Sequence, residues 1–328
     1  MNTGARSCLC GVLAAMAATP SFAAAGADLR DYPSKPIRII VVLAPGGATD
    51  IIARGLAQKL SEGLGQSVII DNRSGAGGNI GAELAAKAAP DGYTALIVSS
   101  TYTINPSLYR QLPFDPNRDL QAVTLIASSP FLLLVHPSVP ARNVKELIAV
   151  AKTKPKELNY GSGGVGNSGH LAAELFSSLA GVELTHVPYK GAGPALIEAV
   201  AGHVQVIFSS IVSGMPFAKS ARLRALAITT GKRSAAMPDL PTVAESGVPG
   251  YDFSSWYGLL VPAGTPTPVI GKLNAETIKA LRQPDLRERL SNEGCEPVGN
   301  TPAQFAAHIQ SEMARRARIV KASGMRAE

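Results

Sequence analysis

The chain has 328 residues, enough for two lobes with a sizeable core, and its 46% hydrophobic content excludes a disordered polymer. Aromatic residues make up only 5%, and the basic residues behind the net charge of +7 are scattered, which argues against nucleic-acid binding. The exception is Arg315-Arg316-Ala317-Arg318 with Lys321, which reads as the solvated face of a terminal helix.

Residues 1–25 read as a secretory signal. Arg6 is the charged start, Cys8 to Ala18 the apolar stretch, and Ser21-Phe22-Ala23 or Ala23-Ala24-Ala25 the small-residue cleavage site. Neither Cys8 nor Cys10 sits in a lipoprotein box, and both leave with the signal. Cys295 is then the lone thiol, so neither a disulfide nor a cysteine metal cluster is expected. The expected compartment is the periplasm.

The next stretch is a strand over 37–43, apolar and β-branched apart from Arg38, as a strand covered on both faces should be. Pro45-Gly46-Gly47 ends it. A helix over about 48–62 follows, opened by Thr49 or Asp50. Such a glycine turn before a helix offers free N–H groups and the positive end of the helix dipole to a carboxylate or phosphate, or it merely makes a tight βα turn. A strand at 68–71, a glycine turn at 73–79, a helix to about 89 and a strand at 93–98 complete a βαβαβ unit, for which a parallel sheet is expected.

Residues 102–121 read as irregular. Strands are expected at 123–127 and 131–135, then a helix at about 143–153. A second βα series comes next: strands at 158–161, 184–189 and 204–208, helices at 170–180 and 194–201. Strands at 223–229 and 257–261 and helices at 267–282 and 302–321 close the chain. The whole reads as an α/β protein of two lobes, with 26–125 and 226–328 in the first and 126–225 in the second.

Several glycine-rich or small-residue turns fall at the carboxyl ends of strands, where open α/β sheets bind ligands. Thr49, Ser99, Thr101, Ser162 and Ser168 offer hydroxyls there, although Ser and Thr are also ordinary turn residues. Lys190 reaches either an anion or solvent. Gly75-Ala76-Gly77-Gly78-Asn79-Ile80-Gly81 mimics a dinucleotide fingerprint but does not follow the first strand, and no acidic residue stands at a strand end about 20 residues on. His136, His170, His186, His203 and His308 lack metal-ligand spacing; His170, opening a helix after a glycine turn, either reaches a ligand or packs and caps. No catalytic carboxylate pair or activated nucleophile is found, so neither enzymatic activity nor a cofactor is expected.

Other stretches carry a resemblance. Tyr32-Pro33-Ser34-Lys35-Pro36-Ile37-Arg38, Ala44-Pro45-Gly46-Gly47-Ala48-Thr49-Asp50 and Asn72-Arg73-Ser74-Gly75-Ala76-Gly77-Gly78-Asn79 run in order with Ser168-Gly169-His170-Leu171-Ala172 and His186-Val187-Pro188-Tyr189-Lys190-Gly191. Met237-Pro238-Asp239-Leu240-Pro241-Thr242-Val243 and Pro262-Ala263-Gly264-Thr265-Pro266 come after them. Together they resemble the Bug (TctC) family, the periplasmic solute-binding receptors of tripartite tricarboxylate transporters. The resemblance implies a two-lobed type II periplasmic-binding-protein fold that closes on an organic acid: a di- or tricarboxylate, an acidic amino acid or an aromatic acid.

It also implies ligand contacts at Ala44, Gly46, Gly47, Thr49 and Asp50, at Ser99 and Thr101, and at Ser162, Ser168, Lys190 and Gly191. The implied partners are membrane transporter subunits, with the receptor a monomer; a sensor that presents its ligand to a signalling receptor would share the same cleft. Two departures stand out. Val42-Leu43 replaces the family's frequent proline and aromatic residue, and Gln205 and Ser209 stand where many members carry aspartates, which favours a plain carboxylate over an amino acid.

Overall fold

The computed structural model describes Met1 and residues 31–43, 45–46, 48–189, 191–234, 237–292 and 294–323. The chain divides into Met1–Tyr32 and Pro33–Glu328. The leader expected over 1–25 lies, beyond Met1, outside the described residues. The second unit carries the fold.

Its first part is β1 (Ile37–Val41), α1 (Ala48–Leu64), β2 (Val68–Asn72), α2 (Asn79–Ala86) and β3 (Thr94–Ser99). β1 pairs in parallel with both β2 and β3, as the apolar strand–helix alternation implies. It ends two residues earlier than expected, so Val42 and Leu43 already belong to the turn. α1 buries Ile52, Ala53, Leu56 and Leu60, the 3.6-residue stripe of a helix laid on a sheet.

After the short α3 (Asn105–Leu108) comes β4 (Leu120–Val135), a single 16-residue strand where two strands are expected from the sequence. Its first part pairs with β9 (Ser254–Pro262) and β10 (Glu296–Pro297), and its last five residues pair with β7 (Val206–Ser210). Ser129-Pro130 marks the change of partners. Proline has no N–H to give a ladder, and it stands where one ladder ends and the next begins.

The second part repeats the βα rhythm: α4 (Val144–Thr153), β5 (Asn159–Ser162), α5 (Ser168–Ala180), β6 (Thr185–Pro188), α6 (Ala192–Ala201), β7, α7 (Ile211–Lys219) and β8 (Arg224–Ile228). β5 pairs in parallel with β6 and β7. After β9 come α8 (Thr267–Leu281), α9 (Pro284–Asn292), β10 and α10 (Pro302–Ser323). The ten-stranded sheet runs β2-β1-β3-β9-β4-β7-β5-β6, with β8 and β10 paired to β4.

Each half of the sheet has its own core. Ile40, Leu96, Leu125 and Leu260 gather in the first; Leu133, Tyr160, Phe176 and Phe208 gather in the second. α10 serves both, with Phe305 and Ile309 in the first core and Ile319 and Val320 in the second. Contrary to expectation, its basic cluster is not all solvated. Arg316 is 1% exposed, bonds Glu312 through Nε (3.0 Å) and Nη2 (2.7 Å), and lies over the Phe253 ring. Among the described residues no helix is long and apolar enough to cross a membrane.

Candidate functional site

A cavity of about 520 Å³ opens where the two halves of the sheet meet, a volume suited to a small organic ligand. Its wall is made of strand ends and the first residues of the helices that come after them. From the first half come Leu43, Ala48 and Thr49, with Ser99 and Thr101 after β3. From the second come Ser162, Gly163, Asn167 and Ser168 after β5, and Ala192 and Ala195 after β6. Ile207, Phe208, Ser209, Ser210, Val212 and Ser213 continue along β7 and α7. Ser129, Phe131, Ser255 and Tyr257, from β4 and β9, form the floor between the halves.

Two features define its electrostatics. None of the described lining residues carries a charged side chain, whereas hydroxyl groups are many. In addition α1, α5, α6 and α7 all begin at the cavity wall, bringing four helix N-termini to one space. The first N–H groups of a helix have no partner within it, and its start carries a partial positive charge; Asn167 Oδ1 takes the Gly169 N–H of α5 and Ser210 Oγ the Ser213 N–H of α7, which leaves the other first-turn amides for a ligand. The arrangement suits an anion with several oxygen acceptors.

Of the residues proposed from the sequence, Thr49, Ser99, Thr101, Ser162 and Ser168 line this cavity. Ser99 and Thr101 bond each other through their hydroxyls at 2.8 Å. Ala44, Gly47 and Lys190 lie outside the described residues. Gly46, Asp50 and Gly191 are not lining residues. Gly191 instead precedes α6 with φ +118°. There the β5–α5 and β6–α6 loops touch so closely that a Cβ on Gly163 would lie 2.8 Å from the Ala192 nitrogen.

The expectation for Gly46 needs correcting. Its N–H is not free for an anion, because it donates to Asp50 Oδ2 at 3.0 Å. The same carboxylate accepts from Arg54 Nε (2.9 Å) and Asn72 Nδ2 (3.0 Å), and Asn72 also donates to the Leu43 carbonyl. Burial alone would raise the Asp50 carboxyl, but the bonds from Arg54, the Gly46 amide and Asn72 hold it below the usual carboxylate range. Asp50 thus ties the first βα turn to its helix and to β2. Gly46 is needed for its backbone, at φ +82°, rather than for space.

The 162–168 loop is fixed by different chemistry. Gly166 N–H donates to His170 Nδ1 at 3.1 Å, and His186 Nε2 lies 2.6 Å from Ser162 Oγ. The two imidazoles stack at 3.9 Å between centroids, and Tyr160 stacks on His186 at 4.8 Å. Tyr160 and His186 are register partners on β5 and β6, which is why sequence spacing does not reveal them. Tyr160 Oη donates to Glu174 at 2.5 Å. Burial, helped by the neighbouring His186, pushes His170 down to about 3, and burial also lowers His186, so both rings are neutral at pH 7.

Sequence reasoning overlooks the floor and, apart from Ser209, the β7–α7 end. Ser209-Ser210 does follow an apolar strand, but no glycine marks the turn. Ser129 and Ser255 lie inside strands, where small polar residues look incidental.

Comparison with known proteins decides the family. The profile of the tripartite tricarboxylate transporter family receptor matches residues 52–325. The chain belongs to this receptor family. Protein BugT of Bordetella pertussis is 37% identical over 295 residues, covering 89% of this chain and 90% of the relative. The structure of Rpa4515 of R. palustris with adipate shares 39% sequence identity. It superposes with a TM-score of 0.76 over 90% of this chain and 99% of that one. MatC (Rpa3494) from Rhodopseudomonas palustris with bound malate shares 33%, with a TM-score of 0.72 over 88% and 100%. This Bug-type receptor has the two-lobed periplasmic-binding-protein fold and is a solute-binding protein, not an enzyme.

Proposed function

We propose that this receptor captures an organic acid through its carboxylate in the interlobe cavity and delivers it to a tripartite transporter in the membrane. The observation that carries the reading is the meeting of four helix N-termini and a hydroxyl-rich wall at one cavity with no charged side chain among its described lining residues. The adipate and malate bound by two relatives support the same ligand class.

In this reading the leader directs export, and the mature protein works as a monomer in the periplasm. The second lobe takes in β8, which pairs with the last residues of β4, and Val243, Val248, Tyr251 and Phe253, which share its core, so it runs from about 131 to 253 and joins the first lobe through β4 and the entry into β9. The lobes close on the ligand by bending at these crossings.

Thermal-shift measurements on the mature protein with adipate, malate and the uncharged 1,6-hexanediol test this reading. Binding to the native state alone raises Tm, by about 2.7 kcal/mol of added stability at a hundredfold excess over Kd. A rise with at least one acid and none with the diol is expected. A diol shift as large as that of adipate, or no shift with either acid, would overturn it.

A further inference from the structure

Ser162 has one hydrogen to give and two lone pairs to fill. Three groups stand within hydrogen-bond distance of its Oγ. The Gly164 N–H, at 3.2 Å, can only donate. The Gly164 carbonyl, also at 3.2 Å, can only accept. The third is His186 Nε2 at 2.6 Å, whose role depends on where the imidazole carries its proton. All three bonds hold together only if Ser162 gives its hydrogen to the carbonyl and accepts from both other groups. His186 is then protonated on Nε2.

We propose that His186 is a positioning residue for ligand binding: held against Tyr160 and His170, it donates from Nε2 to Ser162 and so leaves the Ser162 hydrogen for a carboxylate oxygen in the cavity. The opposite tautomer would draw that hydrogen into the protein and turn a lone pair toward the anion. With both lone pairs occupied, Ser162 can act only as a donor. The long bond to the Gly164 carbonyl is the one an arriving carboxylate replaces, because a charge-assisted bond is the stronger. The ring cluster holds His186 in place: His186 pairs with Tyr160 across β5 and β6, and His170 stacks on it from the first turn of α5. His170 accepts the Gly166 N–H through Nδ1, so its own proton is also on Nε2. It fixes the far end of the same loop.

This inference rests on the carboxylate-binding reading, and its test separates the two. Nitrogen-15 spectra of the histidine-labelled, ligand-free protein should show His186 neutral and protonated on Nε2; a proton on Nδ1 overturns the proposal whether or not any acid binds. For binding, adipate and malate are titrated by calorimetry into the wild type, His186→Phe, His186→Gln, Ser162→Ala and the double variant His186→Phe/Ser162→Ala. The phenylalanine keeps the stacked ring but removes the donor, and the glutamine restores a donor near Nε2. Expected are a loss of about tenfold or more for His186→Phe and for Ser162→Ala, and a loss within about threefold for His186→Gln. The double variant should be no weaker than Ser162→Ala, because the histidine acts only through the serine. A folded His186→Phe protein with wild-type affinity, or fully additive losses in the double variant, would overturn the proposal. If neither acid binds the wild type, the carboxylate reading fails on its own, and the tautomer still decides this one.

Discussion

Two loops face each other across the cavity, one from each half of the sheet, and they are fastened by opposite chemistry. The β1–α1 turn is tied down by a buried ionised carboxylate: Asp50 gathers the Gly46 amide, Arg54 and Asn72. The β5–α5 loop is tied down by neutral rings: His170 takes the Gly166 amide, and His186 bonds Ser162. Both solutions fasten a loop beside a helix N-terminus. They differ in what sustains them. The carboxylate needs donors to offset its desolvation, whereas the imidazoles need to stay neutral, each with its single ring proton. A ligand loop can thus be held by charge or without it, and neither route places a charged group among the described residues of the cavity wall.

The largest expected effect comes from breaking the charged fastening. Asp50→Ala leaves three donors without their acceptor, and hydrogen bonds to charged groups contribute about 1.5–3 kcal/mol each. A loss of about 3 kcal/mol or more in denaturant unfolding is expected. His170→Leu, which removes one bond to a neutral ring, should cost about 1–2 kcal/mol. Equal losses for the two variants would erase the distinction between the loops.

Acidification should separate them next. The folded pKa of His170 is lowered, to about 3, so from pH 6.5 downward the unfolded chain takes up a proton that the native protein refuses. Stability contributed by the neutral ring is complete above about 6.5 and is lost as pH falls toward 3, by up to about 1.4 kcal/mol per pH unit. The folded pKa of Asp50 is also lowered, so its contribution is complete above about 3.9 and is lost only below it. Unfolding free energies at pH 7 and pH 5 should therefore differ, and the difference should shrink in His170→Leu but persist in Asp50→Asn. A pH dependence unchanged by His170→Leu would show that the ring is not the sensitive group.

The smallest effect concerns what the two loops share. An ammonium group entering the cavity meets four positive helix ends and, among the described lining residues, no carboxylate. 2-Aminoadipate should bind about tenfold more weakly than adipate, a difference of about 1.4 kcal/mol by calorimetry. Equal affinity would mean that an acidic group answers the amine.

Much of this arrangement is legible in the sequence, for identifiable reasons. The βα rhythm comes from short apolar runs separated by glycine turns, and Thr49 at a helix start and Ser99 and Ser162 at strand ends stand out as small polar residues. Other features are hidden. Pro130 splits β4 on paper, yet in the sheet it falls where the strand exchanges partners. Gly214 and Pro216 conceal α7, and α9, which opens at Pro284, is not among the expected helices. The use of the Gly46 amide by Asp50 requires knowing how the turn folds back. The ring cluster requires knowing that β5 and β6 are neighbours, because Tyr160 and His186 meet only across that pairing.

The central claim is that helix ends and hydroxyls, from both halves of the sheet, hold a carboxylate. A crystal structure with bound adipate tests it most directly. The account predicts carboxylate oxygens within about 3 Å of Thr49 or the first amides of α1 on one side, and of Ser162 or Ser168 on the other. An acid seated outside this cavity, or one whose methylene chain rather than its carboxylates lies against the helix ends, would contradict it.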